Sequence, residues 1–350
     1  MHTDPWPSPD TNDSGQSSPN NTEREDPSAM ETNRLDLTRI HAGVQSIRQE
    51  ISKVIVGQVE AIDMMLAGIF SGGHMLVEGV PGIAKTLLTK LLARTIDTGF
   101  SRIQFTPDLM PSDVLGTTIF NVKTSAFTFN PGPIFSNVVL IDEINRAPAK
   151  TQSALFEVME EYQVTIDGQT YPMQYPFFVV ATQNPIEQEG TYKLPEAQLD
   201  RFLVRILLDY PTLDEEKIIL RRFQSDFSGQ LNQTIQAVFT PEDIRLCRNL
   251  VEQIYIKEEL LDYIATIVHR TRNHGDLFLG ASPRASLSIM KMAKAFAGMA
   301  GRDFVTPDDI RYVTYPVLNH RIILTSEREM EGFTSRSVLQ EIISGIEVPR

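Results

Sequence analysis

Gly79-Val80-Pro81-Gly82-Ile83-Ala84-Lys85-Thr86 follows the short apolar run His74-Met75-Leu76-Val77-Glu78 and opens a predicted helix. The apolar run is bounded by the turn residues Ser71-Gly72-Gly73, as a buried strand should be. Strand, glycine loop and helix in that order read as a phosphate loop. Its backbone N–H groups and the helix N-terminus can surround the β- and γ-phosphates of a nucleotide, Lys85 can add a point charge, and the Thr86 hydroxyl can ligate Mg²⁺. Ala84 stands where a glycine normally precedes the lysine. An alanine fits with negative φ, so the loop is expected to have ordinary helical or near-helical backbone there.

Further along, Asn137-Val138-Val139-Leu140-Ile141-Asp142-Glu143 is an apolar strand ending in two carboxylates. A neighbouring strand should deliver its acids beside the phosphates. Asp142 is expected to hold Mg²⁺ through its water shell, while Glu143, turned differently, polarises the attacking water. The plainer alternative is a strand-end pair facing solvent, which a phosphate loop in the same domain argues against.

Other buried-strand candidates are Arg102–Phe105, Phe177–Ala181 and Phe202–Leu208, separated by helical or insert-length segments. That alternation predicts an α/β domain over 35–209 with a parallel sheet covered on both faces. Ahead of the first strand, Ile40, Val44, Ile47, Ile51 and Val54 recur at helical spacing, and a second helix is expected over roughly 58–70. Two segments look like inserted β-hairpins: Leu115–Phe129 around Lys123-Thr124-Ser125, and Gln163–Met173 around the turn signal Asp167-Gly168. They are either loop decoration or working loops that contact a partner. After Tyr210-Pro211 the strand signal stops, and Thr240-Pro241-Glu242-Asp243 and Thr306-Pro307-Asp308-Asp309 each read as a helix start. An all-helical second domain is expected over 210–350.

The whole chain fits this organisation. Its 350 residues correspond to about two domains at roughly 150 each, and 41% hydrophobic residues can fill both cores. Residues 1–34 lack Leu, Ile, Val and Phe and carry five prolines and seven acids against two bases, the composition of a disordered tail. It contains the one tryptophan, Trp6, and neither a basic start nor an apolar run for secretion. A lone cysteine, Cys247, inside an amphipathic helix, rules out an internal disulfide and reads as an inert buried thiol. The six histidines never pair at zinc-ligand spacing. Met290, Met292 and Met299 fit a helical core better than a ligand site. Glu60 and Asp63 interrupt the best membrane-span candidate, so a soluble protein of a reducing, cytoplasmic compartment is expected. A net charge of −13 with no basic stripe argues against nucleic acid or anionic lipid as partner.

The chain resembles a MoxR-type member of the AAA+ ATPases. The resemblance is carried by Gly79–Thr86, Leu140-Ile141-Asp142-Glu143-Ile144-Asn145-Arg146-Ala147, Ala181-Thr182-Gln183-Asn184-Pro185 and Leu194-Pro195-Glu196-Ala197-Gln198-Leu199-Asp200-Arg201-Phe202, and it spans roughly 55–290. Alanine at 84 is usual in that family. The resemblance implies an ATPase that uses ATP and Mg²⁺, a homo-oligomeric ring of six, and chaperone-like remodelling, maturation or metal insertion in partner complexes. Partners of von Willebrand factor A type or DUF58 type are implied as well. A nucleic-acid motor of the helicase-like AAA+ branch and a non-hydrolysing nucleotide-dependent scaffold are the alternatives.

Four further assignments come from the same resemblance. Asn184 resembles a sensor residue between the acids and the γ-phosphate, although Asn-Pro also starts turns. Arg201 resembles an arginine finger that reaches the next subunit's site, against an ion pair with Asp200 or Glu196. Arg284 resembles a second sensor in the helical lid, which would place the nucleotide between lid and α/β domain. Ser282-Pro283 also looks like a cap and first helical position, so Arg284 puts a cation at the positive end of a helix dipole, a conflict that a nearby anion would remove. Val56-Gly57-Gln58 resembles the segment beside the adenine, or is a plain turn between helices.

Overall fold

The computed structural model describes residues 35–123, 125–184, 192–224 and 234–349. The expected tail over 1–34, with Trp6, and Thr124 of the first hairpin turn lie outside the described residues. Helices α1 (Thr38–Ser52) and α2 (Val59–Phe70) precede strand β1 (Met75–Gly79), and α3 (Lys85–Thr95) follows the glycine loop. Next come β2 (Phe100–Gln104), α4 (Pro111–Leu115), the hairpin β3 (Gly116–Asn121) and β4 (Ala126–Pro131), and β5 (Val138–Asp142). Helix α5 (Ala149–Glu161) leads into the hairpin β6 (Gln163–Ile166) and β7 (Gln169–Pro172), then β8 (Phe178–Gln183), α6 (Glu196–Leu199) and β9 (Val204–Leu208). The rest comprises α7 (Leu213–Phe223), α8 (Pro241–Gln253), α9 (Glu258–Arg272), β10 (Leu277–Leu279), α10 (Pro283–Met299), α11 (Pro307–Leu318), β11 (Ile323–Leu324), α12 (Ser326–Met330) and α13 (Ser335–Ser344).

Five strands form a sheet in the order β2-β5-β8-β1-β9, and every neighbouring pair is parallel. Side chains alternate between its two faces, so each central strand feeds two cores. Val138 and Leu140 of β5 join one cluster and Val139 and Ile141 the other; in β8, Val180 and Val179 divide in the same way. All five residues of β5 are buried, which explains why it reads as one unbroken apolar run.

Register decides what meets at the carboxyl ends of the strands. Glu78 of β1 lies beside Gln183 of β8, and Ile141 of β5 beside Ala181. The glycine loop, the two acids and Asn184 therefore emerge along one edge. Both expected hairpins are present, and Asp167 and Gly168 take the positive φ values, 51° and 78°, that their tight turn needs.

Leu35–Arg350 is one compact unit by its contacts. The sheet ends at Leu208, close to the expected boundary, but the larger core runs across it, joining Ile40 and Ile47 of α1 to Ile289 and Met292 of α10. Thr240 and Thr306 cap α8 and α11 as expected, each accepting the N–H of the acid three residues on. The expectation of a purely helical second region is corrected by β10 and β11, a two-stranded antiparallel sheet. Strands of three and two residues are too short to show a period of two in sequence. Among the described residues no helix is long and apolar enough to cross a membrane.

Candidate nucleotide site

The loop after β1 departs from expectation at one residue. Ala84 has φ +67°, in the left-handed region, and so does not have the ordinary helical backbone that alanine favours. An L-residue there costs about 1–2 kcal/mol. Gly82, with φ +85°, takes a second left-handed step. Steps of this kind turn successive N–H groups into a concavity for an anion, which is the physical reason the expected backbone is overridden. Gly79 is required for a different reason: a Cβ there would lie 2.3 Å from Ile83 Cδ1 and 2.8 Å from the Leu208 carbonyl oxygen. Lys85 Nζ donates to the carbonyls of Gly79 and Gln183, bridging the ends of β1 and β8.

Thr86 and Asp142 meet as the sequence implies. Thr86 Oγ1 donates to Asp142 Oδ2 at 3.2 Å, while Asp142 Oδ1 accepts from Thr182 Oγ1 at 2.8 Å. These hard oxygen donors on the rim of an anion-binding loop fit Mg²⁺. Arg102 Nε also donates to Asp142 Oδ2, at 2.7 Å, and balances its charge. Glu143 sits on left-handed backbone, φ +57°, with its N–H donated to Thr182 Oγ1. Its Oε2 accepts from Gln104 Nε2 at 2.8 Å and from Arg146 Nε at 2.9 Å. Asn184 is buried at the end of β8, and Pro185 after it lies outside the described residues.

A cleft of about 370 Å³ adjoins the loop, lined by Val56, Gln58, Pro81, Gly82, Ile83 and Ala84 and closed by Tyr210, Ile219 and Phe223. Gly57 and Val80 do not line it. Gly57 instead makes a left-handed turn, φ +72°, against the Glu215 carboxylate. Gln58 Nε2 donates to Asp209 O at 2.9 Å, tying the turn to the end of the sheet. The apolar wall contributed by α7 suits a flat heteroaromatic base.

Arg201 and Arg284 lie elsewhere. Both meet one carboxylate, Glu160 of α5: Arg201 Nη2 is 2.9 Å from Oε2 and Arg284 Nη2 is 3.0 Å from Oε1. Arg201 Nη1 also donates to Phe156 O at 3.0 Å. The residues around them mark the starting edge of the sheet: Leu203 N–H donates to His74 O, and the His74 ring contacts Met159 O. From Met75 to Gly79 the strand rises about 13 Å, so neither guanidinium serves its own phosphate loop in this conformation.

The cleft beside the glycine loop is therefore not bordered by the helix of Arg284. Of the second region, it is α7 with Tyr210 and Pro211 that borders the cleft. The anion that settles the dipole conflict at Arg284 is Glu160. The ion-pair alternative for Arg201 also changes partner, since Asp200 is occupied by Arg321. Ser282 is the N-cap residue of α10 but makes no side-chain cap, because its Oγ donates to the Asp200 carboxylate.

Sequence reading missed Gln104, Arg102, Arg146, Thr182, Glu160 and the α7 wall. Gln104 pairs in register with Asp142, so finding it requires the strand order β2-β5. Cys247 behaves as expected, with burial pushing its thiol up to about 12. Among the described residues, His274, Asp276 and Glu341 cluster in the second region, and Arg328 Nε holds Asp276 Oδ1 at 2.8 Å.

Residues 74–204 match the ATPase family associated with various cellular activities (AAA), and 269–342 match the AAA lid domain. The chain is 45% identical to YeaC of Bacillus subtilis, itself uncharacterised, over 86% of this chain and 93% of that one. It is 42% identical to the chaperone MoxR1 of Mycobacterium tuberculosis over 86% of this chain and 81% of the relative. A crystal structure from Cytophaga hutchinsonii, of a chain taken to be an ATPase, superposes with a TM-score of 0.83 at 44% identity, covering 92% of this chain and 98% of that one. With its glycine loop, paired acids, five-stranded parallel sheet and helical lid, the chain belongs to the MoxR family of AAA+ ATPases.

Proposed function

We propose that this ATPase binds ATP with Mg²⁺ at the Gly79–Thr86 loop and hydrolyses it with arginines supplied by a neighbouring copy, as one step in remodelling or maturing a partner protein complex. The observation that carries this reading is the division of the machinery between the two ends of one sheet. The loop, Asp142, Glu143 and Asn184 share the carboxyl end, while Arg201 and Arg284 share the other. A site split in this way is completed by a second chain, and a closed ring, of six copies by family resemblance, completes every site alike.

Residues 35–209 then act as the nucleotide-binding core and 210–350 as the lid. The loop N–H groups and Lys85 bind and orient the phosphates, with the base beside Val56 and Gln58. Thr86 and Asp142 would hold Mg²⁺, which supplies neutralising charge on the β- and γ-phosphate oxygens. Glu143 takes up the proton of the attacking water, and Asn184 holds that water in line. Arg201 and Arg284 from the neighbour stabilise charge on the transferring phosphoryl group.

The hairpin β3–β4 supports the mechanical part, since Phe120 and Phe127 stack edge to face yet stay exposed. Such aromatics on a rigid projection suit contact with a protein client. The name of the relative MoxR1 supports a chaperone role, and a von Willebrand factor A-type or DUF58-type protein in the cytoplasm is the partner proposed. The acidic balance, −13, weighs against a nucleic-acid motor.

The test compares ATP binding and turnover in two variants. Lys85→Ala should lose nucleotide binding, whereas Glu143→Gln should bind ATP and fail to hydrolyse it, retaining its client. Normal turnover by Glu143→Gln, or DNA-stimulated hydrolysis in the unaltered chain, would overturn the reading.

A further inference from the structure

The backbone that carries Arg201 is gripped by a residue far away in sequence. Arg321, just beyond α11, is buried at 5% exposure, and its guanidinium is saturated with acceptors. Nε donates to Asp200 Oδ1 at 2.8 Å; Nη2 donates to the carbonyls of Asp200 at 3.2 Å and Phe202 at 2.6 Å; Nη1 donates to the Leu203 carbonyl at 3.1 Å. These acceptors bracket Arg201 on both sides. The same Asp200 carboxylate accepts from Ser282 Oγ at 2.8 Å, two residues before Arg284. One carboxylate thus joins the segment of Arg201 to the start of the helix bearing Arg284.

A buried ion pair adds little net stability, so its retention points to geometry. The geometry here is specific to arginine: a planar fork of five N–H donors can fix several carbonyls at once, whereas lysine offers one compact charge. Three of the four bonds above go to backbone oxygens, which hold the chain's path as well as a side chain's position. Arg201 and Arg284 then share Glu160 because both of their bases are fixed through Asp200.

We propose that Arg321 is a positioning residue for ATP hydrolysis in the neighbouring copy, setting the backbone on both sides of Arg201 and, through Asp200 and Ser282, holding Arg201 and Arg284 as one unit. This rests on the reading that Arg201 is donated between chains. Its signature is directional. An Arg321 variant is impaired in what it lends to its neighbour and intact in its own phosphate site, which lies at the opposite end of the sheet.

The experiment uses full-length Arg321→Lys and Asp200→Asn, the second preserving shape and an acceptor for Ser282. For each, ATP affinity, kcat and KM are measured, as is turnover after mixing with Glu143→Gln chains, with Arg201→Ala alongside. We expect unchanged ATP affinity, kcat lowered by about 10²-fold for a finger displaced by about 1 Å, and turnover partly restored by mixing, because Glu143→Gln lends intact arginines to the variant's complete site. If Arg321→Lys does not fold, Asp200→Asn decides by the same readouts. Wild-type kcat in the variants, weakened ATP affinity, or a loss that mixing does not restore overturns the positioning role. If Arg201→Ala is itself fully active, the donated-arginine reading fails; if Arg201→Ala is inactive and restored by mixing while the Arg321 and Asp200 variants are normal, only the positioning role fails.

Discussion

Acidification should loosen the starting edge of the sheet, where Arg201 is held, through His74. The His74 ring is buried against Tyr162 and Phe177, each with its centroid within 6 Å. Val179 N–H donates to Nδ1 at 2.9 Å, so Nδ1 must accept and Nε2 carries the proton toward Met159 O, also at 2.9 Å. Protonating Nδ1 would set one N–H against another in a buried site. Burial, opposed by the Met159 carbonyl and aided by Arg248, pushes the imidazole down from 6.5 to about 4. The folded state thus favours neutral imidazole, and the stability this contributes is complete above pH 6.5 and lost as pH falls from 6.5 toward 4. A gap of that size is worth about 3 kcal/mol between pH 7.5 and pH 4.

His320 is also pushed well below its ordinary value by burial, with Arg321 adding to the effect, so a single stability curve mixes two histidines. The informative quantity is a difference. His74→Gln keeps one acceptor and one donor and cannot titrate in this range. Urea unfolding of both chains between pH 7.5 and 4 should show wild type losing about 3 kcal/mol more than the variant. Parallel curves would refute the reasoning, because they would mean that His74 does not stay neutral in the fold.

Other perturbations separate parts of the account. Arg284→Ala should leave ATP affinity unchanged and reduce turnover by about 10² or more, measured by nucleotide titration and steady-state kinetics; weakened ATP binding would instead place Arg284 at its own chain's nucleotide. Ala84→Gly should change stability by less than about 1 kcal/mol, since relief of the left-handed backbone is offset by greater freedom in the unfolded chain. Ala84→Val, β-branched at φ +67°, should lower the melting temperature and weaken nucleotide binding together.

The sequence was most legible where one strand or loop carries its own signal. The run Val138–Ile141 is apolar throughout because both faces of its strand are buried, and it announces the acids at its end. The threonine-proline helix starts are local for the same reason, since a cap needs only its own first turn. The backbone of Ala84 departs from what its residue type favours because propensity describes an isolated residue, whereas the loop's shape is imposed by the surrounding turn. The pairing of Arg201 and Arg284 with Glu160 was not legible, for the three lie on separate elements brought together by strand order and helix packing. Gln104 and Arg321 were hidden likewise: each acts on residues that only the fold makes its neighbours.

The central claim is that catalysis uses groups from two copies of the chain. Arg201→Ala and Glu143→Gln, each inactive alone, should regain a share of wild-type ATP turnover when mixed under conditions that allow subunits to exchange. In mixed assemblies the intact Arg201 of one variant faces the intact Glu143 of the other. Mixtures that demonstrably co-assemble and stay as inactive as their parents would contradict the account.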